Sequence, residues 1–263
     1  MNIRKIKISV ICPVYNSEKF IDKTILSLLN QKTPPDEIIF CDDGSTDNSF
    51  NIIRTYKKQF LKKKIKFLLL RSKHLGPGSA RNKCIKKAKY EYISFIDSDD
   101  IWYKNKIFLT KTNILLNPNK NFFIHWEKNI KLKDNFTILR HAIDFKKNKD
   151  LTMQLYQKNF FSTSAVTLSR KIMPNKIEFD TTLPNAQDYD LWLKLSKNIK
   201  LKIMPKVLGA YIENASNITN RYYFYKFISL FKIVLRYRSH VNNSIFIMKL
   251  LKIIFSRQWF RII

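Results

Sequence analysis

Residues 6–31 read IKISVICPVYNSEKFIDKTILSLLNQ. Residues 6–12 are a short apolar run with β-branched members, closed by Pro13, which predicts a buried strand. Residues 18–30 carry Ile21, Ile25, Leu28 and Leu29 at helical spacing. Strand and helix patterns then continue to alternate. Residues 38–41 predict a strand and 47–60 a helix behind the cap-rich Gly44-Ser45-Thr46. Residues 65–70 predict a third strand, 79–88 a helix with Ala80, Cys84 and Ala88 on one face, and 92–96 a fourth strand. Alternation of this kind implies an α/β fold with a parallel sheet covered on both faces. In such sheets ligands bind beyond the carboxyl ends of the strands. Polar clusters fall at those ends: Tyr15-Asn16, Asp42-Asp43 and Asp97-Ser98-Asp99. Past residue 103 the pattern weakens. Residues 104–116 and 188–197 predict helices; 122–126, 130–139 and 164–168 predict strands.

Asp97-Ser98-Asp99 is the strongest chemical signal. Two carboxylates flank a small residue just past a buried strand, where both can serve one hard divalent cation, Mg²⁺ or Mn²⁺. The same residues also suit a helix N-terminus, since Asp99 and Asp100 precede Ile101-Trp102. A carboxylate of the pair Asp42-Asp43 can accept from a base N–H or from ribose hydroxyls, or it can cap an ordinary turn. In Gly76-Pro77-Gly78-Ser79-Ala80-Arg81, a helix start brings backbone N–H groups and Arg81 together, a setting that favours anions. Asp188, at the start of the later helix, reads either as a general base or, like Asp190, as a helix cap. His125 and Trp126 lie on one expected strand, so that one of them faces the acceptor side. The histidines show no metal-ligand spacing, and there is no Ser–His–Asp set, GxGxxG or Walker lysine.

The chain has 263 residues, 45% of them apolar, enough for one large domain with a short appendage. Lys and Arg number 49 against 20 Asp and Glu, a formal net charge of +29. That excess suits an anionic partner, or reflects biased composition alone. Cys12, Cys41 and Cys84 form no CxxC pair and read as small core residues of a reduced compartment. The basic N-terminus is followed by an apolar run broken at Pro13 and Asn16, not the pattern of a signal peptide. No stretch reaches ~18 uninterrupted apolar residues, so no spanning helix is expected.

The segments ISVICPVYNSEKFIDKTILSLLNQ, DEIIFCDDGSTDNS, GPGSARNKCIKKAKYEYISFIDSDD and AQDYDLWLKL, in that order and spacing, resemble the family 2 glycosyltransferases. The likeness is dense over residues 6–102 and resumes around 180–200. It implies the GT-A fold: a Rossmann-like, mostly parallel central sheet flanked by helices. It implies an inverting transfer of sugar from a nucleoside-diphosphate sugar to an acceptor hydroxyl. By position it places Pro13, Tyr15, Glu18, Asp42, Asp43, Arg81 and Asp97 at the nucleotide, with Asp43 on a uracil-type base edge. It makes Asp97 and Asp99 the metal-binding pair, Asp99 the more direct ligand, and Asp188 the catalytic base. Gln187 stands where the family often has Glu. Chain organisation resembles bacterial enzymes of surface-polysaccharide or lipopolysaccharide synthesis, acting on a glycan or lipid-linked acceptor.

Two other readings compete. A sugar nucleotidyltransferase would carry a Gly-rich phosphate loop after strand one, where this chain has Pro13-Val14-Tyr15-Asn16. A nucleic-acid-binding protein would suit the charge, but no nucleic-acid-binding signature is present and nucleic acid is not expected as a partner. The expected division is a nucleotide-binding half at 1–102, an acceptor half at 103–220, and a basic amphipathic helical tail at 221–263. The tail has no acidic residue. It suits a helix lying on an anionic membrane surface, its lysines toward the headgroups. That places the protein in the cytoplasm, peripheral on the inner membrane's cytoplasmic face.

Overall fold

The computed structural model describes residues 3–130, 135–173, 178–213 and 223–255. Among them nine strands form one sheet. The first half is built from β1 (Ile8–Val14), β2 (Glu37–Asp42), β3 (Lys66–Arg71) and β4 (Tyr92–Phe95), all parallel, in the order β3-β2-β1-β4. Every residue of β1 and β2 is buried. That is why these strands read as unbroken apolar runs, with helices α1 (Ile21–Leu29), α2 (Ser49–Thr55), α3 (Lys57–Lys62) and α4 (Pro77–Lys87) between them.

The second half is mixed, and here the expectation of a mostly parallel sheet is corrected. It contains β5 (Ile101–Trp102), α5 (Lys106–Leu116), β6 (Phe122–Ile130), β7 (Phe136–Leu139), α6 (Leu151–Gln157), β8 (Val166–Ser169), α7 (Gln187–Leu195) and β9 (Leu201–Ile212). The sheet continues β4-β8-β6-β9-β5, with β7 on β6. Strands β4 and β8 are antiparallel, β6 and β8 antiparallel, β6 and β9 parallel, and β9 and β5 antiparallel. The helix expected over 47–60 is two helices meeting at Tyr56, and the strand expected to end at 126 runs on to Ile130.

Two helices follow, α8 (Tyr223–Arg236) and α9 (Asn243–Ile254). Arg221, Tyr222 and residues 256–263 of the expected tail lie outside the described residues. Helix α8 is docked on the domain: Ile233 and Val234 are fully buried in the same core cluster as Phe95, Phe122 and Trp192. Asp190 of α7 is fully buried and receives Arg236 at 2.6 Å, Lys194 at 2.6 Å and the Tyr237 hydroxyl at 3.1 Å. Arg236 also pairs with Asp180 at 2.8 Å. The three cysteines are free and buried. No helix among the described residues is long and apolar enough to cross a membrane.

Candidate active site

A cavity of about 340 Å³ opens at the carboxyl ends of β1, β2 and β4 and is closed on its far side by the start of α7. Its walls come from separated segments of the chain: Pro13 to Ser17, Asp43 with His74, Arg81 with Asp97 to Asp99, and Pro184 to Asp188. Phe20, Pro77, Thr163 and Tyr211 complete the lining. The parallel half of the sheet places the polar ends of its strands side by side, and the cavity is their common mouth.

The end of the cavity at Tyr15 and Asp43 is tightly built. Asp43 is buried and its carboxylate grips the loop after β3, accepting from the N–H groups of Leu75 (3.1 Å) and Gly76 (2.8 Å) and from the Ser72 hydroxyl (3.2 Å). His74 reaches the same carboxylate at 3.0 Å, and its ring stacks on Tyr15, centroids 4.0 Å apart. Gly76, at φ 89°, then turns the chain so that Pro77 can open α4. Asp42 is fully buried and does not line the cavity. It accepts from Ser45 N at 3.3 Å and pairs with Arg71 at 3.6 Å, supporting the turn that presents Asp43. Glu18 is not brought to the cavity. Its carboxylate accepts from Asn48 N at 3.0 Å and ties the start of α1 to that of α2.

The acidic side is held from below. Ser17 and Ser98 hydroxyls meet at 2.7 Å, joining the ends of β1 and β4, and the Thr24 hydroxyl contacts the carbonyls of Ser98 and Asp100. Arg81, on the second turn of α4, is buried and pairs with Asp97 at 2.5 Å on the cavity wall. Asp97 and Asp99 both line the cavity, and Asp97 keeps 33% of its side chain exposed. Asp100 lies behind them, buried, accepting from Ser164 at 2.5 Å. Burial pushes the Asp100 carboxyl well above the usual carboxylate range, and the charges of Asp99, Glu127 and Asp97 push it further. Hard oxygen donors in an excess of negative charge are what a divalent cation fits. Among the described residues no three His, Cys, Asp or Glu side chains converge as a closed cage. Asp97 and Asp99 are two such oxygen donors side by side on the cavity wall.

Asp188 lies on the opposite wall. The residue capping α7 is Ala186, in the left-handed conformation and without a side-chain cap bond, so neither Asp188 nor Asp190 is the cap. Asp188 instead points its Oδ2 at the Thr163 hydroxyl, 3.4 Å away. Burial raises its carboxyl above the ordinary value of 3.8, and Arg81 works against that rise. A partly desolvated carboxylate facing a cavity is suited to accept a proton.

Neither His125 nor Trp126 faces the cavity. His125 is fully buried, donates to the neighbouring Trp126 carbonyl at 2.8 Å, and is pushed down to about 4 by burial. Trp126 carries the Arg140 guanidinium over its ring. Participants that went unread in the sequence include His74, Asp100, Thr163, Ser164 and Tyr211. Asp100 belongs to the run of acidic residues already noted; the others carry no local signal.

The profile of Glycosyl transferase family 2 matches residues 9–172. The UDP-Glc:alpha-D-GlcNAc-diphosphoundecaprenol beta-1,3-glucosyltransferase WfgD of Escherichia coli is 31% identical over 193 residues, covering 73% of this chain and 70% of that protein. The poly(ribitol-phosphate) beta-glucosyltransferase of Bacillus spizizenii is 47% identical over 96 residues, 36% of this chain but 15% of that much longer protein. Among solved structures, S. aureus TarS 1–349 in complex with UDP-GlcNAc matches 96% of this chain and 74% of its own with a TM-score of 0.70 at 21% identity, a likeness of fold. With the motifs in place around one cavity and the profile running through both halves of the sheet, the chain belongs to glycosyl transferase family 2.

Proposed function

We propose that the protein is an inverting glycosyltransferase that moves a sugar from a UDP- or dTDP-linked donor to an acceptor hydroxyl. The observation that carries this is the meeting of Asp97 and Asp99 with Asp188 across one cavity whose other end is built by Pro13, Tyr15 and Asp43. Pro13 and Tyr15 line the nucleotide base, with Asp43 as acceptor for its N–H. Asp99 and Asp97 would hold Mg²⁺ or Mn²⁺, which would offset the charge of the departing diphosphate. Arg81 neutralises Asp97 and adds positive potential near the same phosphates. Asp188 takes the proton from the acceptor hydroxyl as that oxygen attacks the anomeric carbon from the face opposite the leaving group, which inverts the centre. No covalent nucleophile is needed, and this division of roles favours the transferase over a nucleotidyltransferase. Residues 1–102 serve the nucleotide and 103–220 the acceptor.

The names of the similar proteins point to cell-surface polysaccharide as the setting, with a glycan or lipid-linked acceptor, and a lipid-linked acceptor suits an enzyme docked on the cytoplasmic leaflet. The test is a panel of nucleotide sugars, read as sugar transfer or slow donor hydrolysis with and without EDTA. Activity with UDP- or dTDP-sugars that disappears in EDTA and in Asp99→Ala is expected. Full activity in EDTA removes the metal, and equal turnover of UDP-, GDP- and ADP-sugars removes Asp43 from base recognition.

A further inference from the structure

Between the acidic loop and Asp188 stands one short turn, Thr163–Ala165. The Ser164 side chain is fully buried and cannot touch a ligand. Its hydroxyl oxygen accepts from Asp97 N at 3.0 Å and its proton goes to Asp100 Oδ2 at 2.5 Å. Its carbonyl accepts from the Trp102 indole at 3.0 Å. Lys106 lies 3.7 Å from the Trp102 ring centroid and donates to the Ser94 and Thr167 hydroxyls at 3.0 and 3.1 Å, so the indole is wedged from behind. Thr163, the adjacent residue, lines the cavity and directs its hydroxyl at Asp188. At 3.4 Å this bond is long, as such bonds often are before a substrate is bound. The acidic loop is gripped from one side by Ser17 and Thr24 and from the other by Ser164, whose neighbour Thr163 also reaches the base.

We propose that Thr163 and Ser164 are the positioning residues that set the acidic loop and the base at a fixed separation, Ser164 holding the loop at Asp97 and Asp100 and Thr163 aiming Asp188. This rests on the roles given above to Asp97, Asp99 and Asp188. It assigns to residues 64 to 67 positions downstream of the acidic loop a part in the metal–diphosphate site, through hydrogen bonds alone.

The two hydroxyls then separate in experiment. Ser164→Ala is expected to weaken binding of UDP with Mn²⁺, measured by calorimetry, and to raise the donor KM, each by about tenfold, the usual scale for a residue supporting a metal ligand. Thr163→Val is expected to lower kcat by a similar factor with donor KM and UDP–Mn²⁺ binding unchanged. Melting curves accompany both. If Ser164→Ala fails to fold, Ser164→Cys keeps the volume and loses the strong hydrogen bond, and replaces it. The proposal is overturned if both variants shift the same parameters together, or if both match the parent in all three. Asp99→Ala and Asp188→Asn serve as references. If either retains full activity, the roles beneath the proposal fail; if both are inactive while the hydroxyl variants are unchanged, the positioning proposal alone fails.

Discussion

Asp188 joins a raised carboxyl pKa to a place on the cavity wall, and the two together have a measurable sign. Burial disfavours its ionised form and moves its pKa above 3.8, with Arg81 limiting the rise. A base acts in its deprotonated form, so kcat/KM falls as the pH drops through that raised value, and the acid limb of the profile lies above the ordinary carboxylate range. Asp188→Asn removes this limb and lowers kcat by about 10²–10⁴, while UDP binding persists. An Asn variant with normal kcat would leave Asp188 as a wall residue only. Asp188, Asp97, Asp99 and Asp43 were legible because each follows a strand or opens a helix within a few residues of a clear apolar pattern. Ser164 was not: its partners are 64 to 67 residues away, and nothing in Thr163-Ser164-Ala165 distinguishes it from any small polar turn. Glu18 misled for the opposite reason. A carboxylate close to Tyr15 in sequence turns toward the unpaired N–H at the start of α2, which local helix capping demands first.

At the scale of elements, the turn after β2 is where conformation and binding are joined. Gly44 has φ 77°, and a Cβ there would sit 2.9 Å from the backbone N of His74 and 3.3 Å from the Ser72 carbonyl. An L side chain in this region costs about 1–2 kcal/mol before any clash. Gly44→Ala must therefore strain its own backbone and push away the loop that Asp43 grips and that carries His74 against Tyr15. The expected outcome is a lower melting temperature and a donor KM raised more than kcat is lowered; an unchanged KM would show that the loop does not shape the nucleotide end. Strands β1 and β2 were readable because both their faces are covered, which makes them continuous apolar runs. Strand β9 was missed for physical reasons. It contains Pro205 and the charged Lys202 and Lys206, and its pairing with β6 shifts register between His125 and Glu127, so neither alternation nor an apolar run survives.

At the scale of the molecule, the net charge of +29 and the two last helices bear on one question, where the enzyme sits. The tail was expected to lie flat with its lysines outward. Lys249 instead folds toward the domain, donating to the Gln157 carbonyl at 3.0 Å beside the Tyr189 ring, and burial lowers it to about 8. Besides Asn243, Ser244 and Lys252, α9 and the residue following it turn outward Ile247, Met248, Leu251, Ile254 and Phe255, each between 45% and 63% exposed. Their spacing places them on one stripe of a helix whose opposite face, through Ile253, is anchored in the core. Helix α8 adds exposed Phe224, Phe231 and Leu235. The exposed Lys232 and Lys252 flank these apolar positions in sequence. An apolar stripe with basic neighbours fits an anionic bilayer surface, where insertion of the stripe supplies the apolar gain and each nearby cation adds about 1 kcal/mol. Flotation with anionic vesicles reads this directly. The full chain should rise with the vesicles at low salt and be partly released at high salt. Ile247→Glu combined with Leu251→Glu, both exposed in the fold, should leave the melting temperature intact and abolish flotation, whereas Lys249→Gln should float as the parent does because its ammonium already faces inward. Retention of the full chain in the soluble fraction at low salt would end the membrane proposal and leave the transferase untouched, since no residue of the stripe lines the cavity.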